Sequence, residues 1–429
     1  MALIVGCGGE PGEVSNAHPV RLARTPVAAL SAVAEVGKRI FFDSNFSANG
    51  RTACASCHSP RAAYAAPGNA LVQLAAPQAP GAVRAVPSLR YVDRTPNFFI
   101  GPDNGESENV DFAQLAVAAA GTPRPTKIAG TGAGPVAMVP RGGLFWDGRV
   151  NTLQDQAMGP LFNSTEMGNR DVAAVAATLR SAPYASSLSQ LFGSAILDAP
   201  PRLVDEAMFA VARFEVEDSS FHPYTSQYDY YLEGEAPLSA AEARGLRVFE
   251  DKDRGNCAGC HPDRPAADGT PPAFTDYQYE ALGVPRNGDI PANRDARYFD
   301  LGLCGPVRTD LATQTQYCGM FRTPSLRNAA TRTAFFHNGV YHSLDQVLRF
   351  YNQRDTRPET IYPIGADRRV RKFDDLPAAY RKNVDVTDPP FNRAAGDPLA
   401  MSPQDIQDVI AFLGTLTDGY VWKPGRTPP

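Results

Sequence analysis

One five-residue pattern occurs twice in this chain, as Cys54-Ala-Ser-Cys57-His58 and, far downstream, as Cys257-Ala-Gly-Cys260-His261. Two cysteines three apart, followed at once by histidine, form the attachment signature of a c-type haem. The spacing has a chemical reason. The two thiols add across the two vinyl groups of one porphyrin, and the adjacent histidine is then held under the ring with a nitrogen aimed at the iron. A bare Cys-x-x-Cys also reads as a zinc knuckle or a redox dithiol. Here both copies carry the histidine, in a chain with only seven cysteines and six histidines. The sequence therefore predicts two covalent haems, each replacing part of an aliphatic core.

A length of 429 residues suggests one domain around each haem. The boundaries read as a flexible leader at 1–24, a first haem domain at 25–220, a linker at 221–238 and a second haem domain at 239–429. The expected fold is mainly α, two cytochrome c-like domains with long irregular loops, and the 38 prolines and 36 glycines suit it. A net charge of −5 and the absence of a Lys/Arg run exclude a nucleic-acid surface. No segment has the apolar length needed to span a membrane. The stretch Leu3-Ile4-Val5-Gly6-Cys7-Gly8 resembles the end of a bacterial lipoprotein signal, although it is short and lacks positive charges upstream. Lipidation at Cys7 would be the one membrane attachment. Covalent haem is attached outside the bacterial cytoplasm, so a periplasmic location is expected. In that oxidising setting Cys304 and Cys318 can form a disulfide contributing roughly 3 kcal/mol, the alternative being two free thiols.

Thr25-Pro26 reads as an N-cap with proline at the first helical position. Leu30, Val33, Ala34, Gly37, Ile40 and Phe41 follow at helical spacing, leading into the first haem motif. A closing helix is expected at 203–215, and residues 62–142 read as loops with a short periodic run near 112–120. Ser239 and Glu242 form a capping box for a helix through Leu246 and Phe249 into the second motif. Ser343 and Gln346 form another, starting a helix with Leu344, Val347, Leu348 and Tyr351 on one stripe. Ser402-Pro403 starts the last helix, with Ile406, Val409, Ile410 and Leu413 inward. Each half thus repeats one plan of helix, haem motif, loops and helix.

With these residues in place the chain resembles the bacterial dihaem cytochrome c peroxidase and MauG superfamily, from residue 30 to the C-terminus. The most specific part is Phe145-Trp146-Asp147-Gly148-Arg149, then Thr152-Leu153, Gln156, Gly159-Pro160 and Glu166-Met167-Gly168. The resemblance implies that Trp146 lies between the haems and relays electrons, and that Gln156 and Glu166, with Pro160 between them, line the distal pocket of the peroxide-reacting haem. The chemistry asks for such a set. Cleaving an O–O bond needs a group that takes a proton and returns it, and a carboxylate of raised pKa does both. No histidine lies between His58 and His222. The first haem is therefore expected to be five-coordinate or water-bound, with His58 as its one protein ligand.

A second block, Phe321-Arg322-Thr323-Pro324 and Phe335-Phe336-His337-Asn338-Gly339, precedes the position where dihaem peroxidases place a methionine ligand. Tyr351 stands there, as in MauG and the MbnH proteins. The resemblance thus implies His261 and Tyr351 as the second haem's ligands; Met320 or Met401 is the alternative. His337 is expected to be structural, hydrogen-bonded near the second haem. A calcium ion between the haems, bound by the backbone carbonyls of Arg332 and Ala334, is also implied. The expected activity is that of a MauG/MbnH-type enzyme. Hydrogen peroxide would generate a high-valent state shared between the irons, and a partner protein would be oxidised at tryptophan. The alternatives are a conventional peroxidase fed by a small redox protein, and a non-enzymatic electron-transfer cytochrome.

Overall fold

Each haem motif follows a helix that crosses a later helix of the same half. The computed structural model describes residues 19–24, 26–68, 83–102 and 138–421. The first helix, α1 (Ala32–Phe41), is capped by Ser31, whose hydroxyl accepts from the Ala34 N–H at 3.2 Å. Thr25, the expected cap, lies outside the described residues, and Pro26 sits in non-helical chain. The later start has a tertiary cause: Glu217 accepts hydrogen bonds from both the backbone N–H and the hydroxyl of Ser31, at 2.7 and 3.0 Å. Then come α2 (Leu153–Phe162), α3 (Val172–Ser181), α4 (Ala185–Phe192) and the long α5 (Pro200–Glu217), which opens on two prolines. The expected run at 112–120 lies outside the described residues. Around it, residues 62–142 contribute an antiparallel pair, β1 (Phe99–Pro102) and β2 (Met138–Arg141), with Phe99 opposite Arg141.

The second half has α6 (Gln227–Leu232), α7 (Ala240–Glu250), α8 (Leu344–Gln353) and α9 (Pro403–Gly414), with a short pair β3 (Tyr279–Glu280) and β4 (Phe321–Arg322). The stretch 221–238 therefore contains a capped helix of its own. Ser239 and Glu242 make the capping box, and so do Ser402 and Asp405. Ser343 caps α8 through the Gln346 N–H, but the Gln346 side chain accepts from the backbone N–H of His342 at 2.7 Å, so that box is not closed. Cys304 and Cys318 are joined as a disulfide. Among the described residues no helix is long and apolar enough to cross a membrane; Cys7 lies outside them.

The two helix crossings are built alike. A Cβ placed on Gly37 of α1 would lie 1.8 Å from the Ala210 carbonyl oxygen of α5, and one on Gly245 of α7 would lie 1.9 Å from that of Asp408 in α9. Only glycine lets backbones meet this closely. Beside each crossing lies an aromatic cluster: Phe41, Tyr64, Phe214 and Phe221 in the first half, Tyr228, Phe249, Phe274 and Phe412 in the second. Each haem motif borders one of these clusters.

Candidate dihaem site

The two motif histidines are oriented by the same device. His58 Nδ1 meets the Tyr64 carbonyl at 3.1 Å and His261 Nδ1 meets the Phe274 carbonyl at 2.8 Å. With Nδ1–H donating, each Nε2 is the unprotonated nitrogen, the tautomer an iron ligand needs. Tyr64 and Phe274 both have left-handed backbones, φ 54°, which turn their carbonyls back toward the rings. Burial lowers both imidazoles to about 4, so they are neutral. Cys54, Cys57, Cys257 and Cys260 are not joined as disulfides. Burial pushes the Cys54 and Cys257 thiols up to about 12, the opposite of what a redox dithiol requires.

A cavity enclosing about 1570 Å³, its mouth included, opens onto the second motif. Cys257, Cys260 and His261 line it, and Leu344, Val347, Leu348 and Tyr351 of α8 also face it. The predicted stripe of α8 is therefore a cavity wall. The Tyr351 ring stacks on Phe391 with centroids 5.3 Å apart. Burial, and then the neighbouring Cys260 and Cys257, push this phenol above its ordinary range. Met401 lines the same cavity but is 1% exposed and packed into the core, its backbone paired with the Asn352 side chain. Two thiols, an imidazole and a phenol around one large cavity fit a covalent haem.

Trp146 is buried and lines both this cavity and a smaller pocket. Its indole N–H donates to the Ala85 carbonyl at 2.8 Å. The residues on either side of that bond are also clamped together, because Arg84 pairs with Asp147 at 2.7 Å. Arg84 holds Asp300 as well, at 2.6 and 2.8 Å, and Ala85 N–H donates to the His337 carbonyl at 2.7 Å. This ionic clamp was not legible in the sequence: Arg84 sits in an Ala/Pro-rich stretch with no periodicity. His337 lines the cavity, but its ring stacks on Phe321 at 3.5 Å, and its hydrogen bond is made through the backbone carbonyl rather than the imidazole.

Gln156 projects inward from α2 and is 7% exposed. Pro160, within α2, accepts from the Met167 N–H at 3.2 Å, folding the following turn back on the helix. Glu166, on that turn, is half-buried and accepts from Asn163 Nδ2 at 2.6 Å. Burial raises its pKa, opposed by Arg149 and by the Asn163 bond. Ala157 and Met158 of α2 and Cys54 with Ala55 of the first motif pack against the same hydrophobic cluster.

The smaller pocket is lined by Arg90, Arg322, Arg327 and Arg332 and by no carboxylate. Among the described residues no group of three or more His, Cys, Asp or Glu is placed to hold a metal ion. The calcium expected at Arg332 and Ala334 would be held by main-chain carbonyls and not by such side chains.

The profile of the Di-haem cytochrome c peroxidase family, CCP_MauG, matches residues 31–237. The methylamine utilization protein MauG of Paracoccus denitrificans is 30% identical over 405 residues, covering 91% of this chain and 89% of that protein. The crystal structure of the diheme peroxidase BthA from Burkholderia thailandensis aligns with a TM-score of 0.77 and 36% identity over 92% of this chain and 88% of that one. A MauG-like protein associated with microbial copper homeostasis shares the fold, with a TM-score of 0.57 and 22% identity over 94% of each chain. The chain belongs to the dihaem cytochrome c peroxidase and MauG family, enzymes that carry two c-type haems and act on peroxide.

Proposed function

We propose that this enzyme is periplasmic and passes the oxidising equivalents of hydrogen peroxide over a long range to a partner protein, at tryptophan. The haems supply the iron at which peroxide is reduced and the porphyrins that hold its oxidising equivalents. His58 would hold the first iron, and His261 and Tyr351 the second. Glu166 takes a proton from peroxide and returns it to the leaving oxygen, and its raised pKa suits both acts. Gln156 orients the peroxide without changing charge. Trp146, fixed by Ala85 and the Arg84–Asp147 clamp, stands in the wall of the second cavity as the relay.

The observation that carries this reading is the place of Tyr351, on the wall of the same cavity that Cys260 and His261 line. An anionic oxygen donor favours the higher oxidation states of iron, whereas a thioether favours the lower. Such a haem stores oxidising power rather than accepting electrons from a small donor. Met401 in the same cavity favours the conventional peroxidase as the second reading. The test is to add peroxide to the holoprotein with candidate periplasmic partners and map the partners by mass spectrometry. Oxygen addition or cross-linking at a partner tryptophan is expected. Peroxide turnover with a small cytochrome and no modified partner would support the second reading instead.

A further inference from the structure

Three tyrosines gather at and beside the smaller pocket that Trp146 also lines. Tyr91 and Tyr277 line the smaller pocket with Trp146. Tyr224 lies against Tyr91, ring centroids 4.6 Å apart, and near enough to Tyr277 to raise its pKa. All three have left-handed backbones, with φ of 64°, 47° and 58°. That conformation is strained for a residue with a side chain, and such strain concentrates at functional sites. The Tyr224 side chain is fully buried and its hydroxyl has no hydrogen-bond partner among the described residues, a rare state for a polar group in a core.

Tyr91 differs in one respect. Its hydroxyl accepts from the Tyr224 N–H at 3.2 Å and donates to Asp418 Oδ2 at 2.7 Å. The same oxygen accepts from Arg90 Nη1 at 3.0 Å and Asn328 Nδ2 at 2.6 Å, which fix the carboxylate against the phenol. A phenol loses an electron readily only if its proton has somewhere to go. Here the acceptor is in place, a carboxylate whose side chain is only 2% exposed, so the proton is taken up and held inside the cluster. Arg327 lies over both rings, 5.1 Å from Tyr91 and 4.7 Å from Tyr224, but its charge is matched by Asp229 at 2.7 and 3.0 Å.

We propose that Tyr91, with Tyr224 and Tyr277 beside it, is a redox-active station that drains oxidising equivalents from the haem system when no partner is docked. In the step, Tyr91 gives one electron to the haem system and so consumes one of the two oxidising equivalents left by hydrogen peroxide. The phenolic O–H bond breaks, and the proton forms a new O–H bond on the Asp418 carboxylate. The proposal rests on the family's peroxide chemistry and not on the partner's identity.

The test is freeze-quench electron paramagnetic resonance of the holoprotein after hydrogen peroxide, without a partner, using protein grown with ring-deuterated tyrosine alongside ordinary protein. A radical signal that narrows on deuteriation is expected. Tyr91→Phe should lose it, and Asp418→Asn should form it more slowly, by on the order of 10²-fold, as for other lost proton acceptors. A radical insensitive to deuteriation, or one that persists in both Tyr91→Phe and Tyr224→Phe, would overturn the proposal. The haem absorption recorded on the same samples separates the two readings. If it responds to peroxide and no tyrosine radical forms, the station alone is refuted; if it does not respond, the peroxide chemistry is refuted and the station with it.

Discussion

Glu215 sits on α5 beside the first haem motif, 3% exposed, its Oε2 without a hydrogen-bond partner among the described residues. Burial raises its pKa from an ordinary 4.5 to about 8. The folded state therefore keeps this proton over a range where the unfolded chain has lost it, and stability must fall as pH rises through that window. The slope is about 1.4 kcal/mol per pH unit while the two states differ by one proton. Denaturant midpoints of native protein and Glu215→Gln should diverge between pH 5 and 8 in that sense, the variant losing less; parallel curves would show that Glu215 is ionised in the fold. Glu166 gives the kinetic counterpart. Its Glu166→Gln variant should keep both haem spectra and react with peroxide on the order of 10²–10⁴-fold more slowly. In native protein the rate should rise with pH through a titration above the ordinary carboxylate range, a limb the variant lacks. An unchanged rate would remove Glu166 from the chemistry. At this scale the sequence spoke where chemistry dictates spacing, as in Cys54-x-x-Cys57-His58. It was silent on Arg84 and Glu215, whose roles come from what folds around them.

The helix crossings carry the fold's tightest constraint. Gly37→Ala should cost about 1–3 kcal/mol or more by overpacking, because the new methyl would meet the Ala210 backbone rather than a movable side chain. Gly245→Ala should do the same against Asp408. Thermal unfolding of each holoprotein checks this, and an unmoved midpoint would mean that the helices slide apart at little cost. Periodicity placed α1, α5, α7, α8 and α9 because each buries one stripe. Their starts were less legible. Ser239 caps as its own neighbours dictate, but α1 begins at Ser31 because Glu217, far off in sequence, fixes that serine. The closure of α8 fails for the same kind of reason, Gln346 finding His342 instead. The strand pairs escaped notice because strands this short leave no alternation to read.

Across the whole molecule, the duplicated motif announced two like halves, but not how they meet. Trp146, the Arg84 clamp and the arginine-lined pocket join stretches far apart in the chain, with Arg84 holding both Asp147 and Asp300. Intact-protein mass should show two haem additions, with Cys57→Ala and Cys260→Ala each disturbing one site; a mass lacking both would end the dihaem reading. With Tyr351 holding its iron, as proposed, the second haem would store oxidising power. A spectroelectrochemical titration of native protein beside Tyr351→Met tests it most directly. The native second haem should be low-spin, of low reduction potential and without a thioether-to-iron absorption band. Tyr351→Met should raise the potential of that haem alone, the neutral soft ligand no longer favouring the higher oxidation states. A thioether band already present in native protein, or a potential that Tyr351→Met leaves unmoved, would contradict the account.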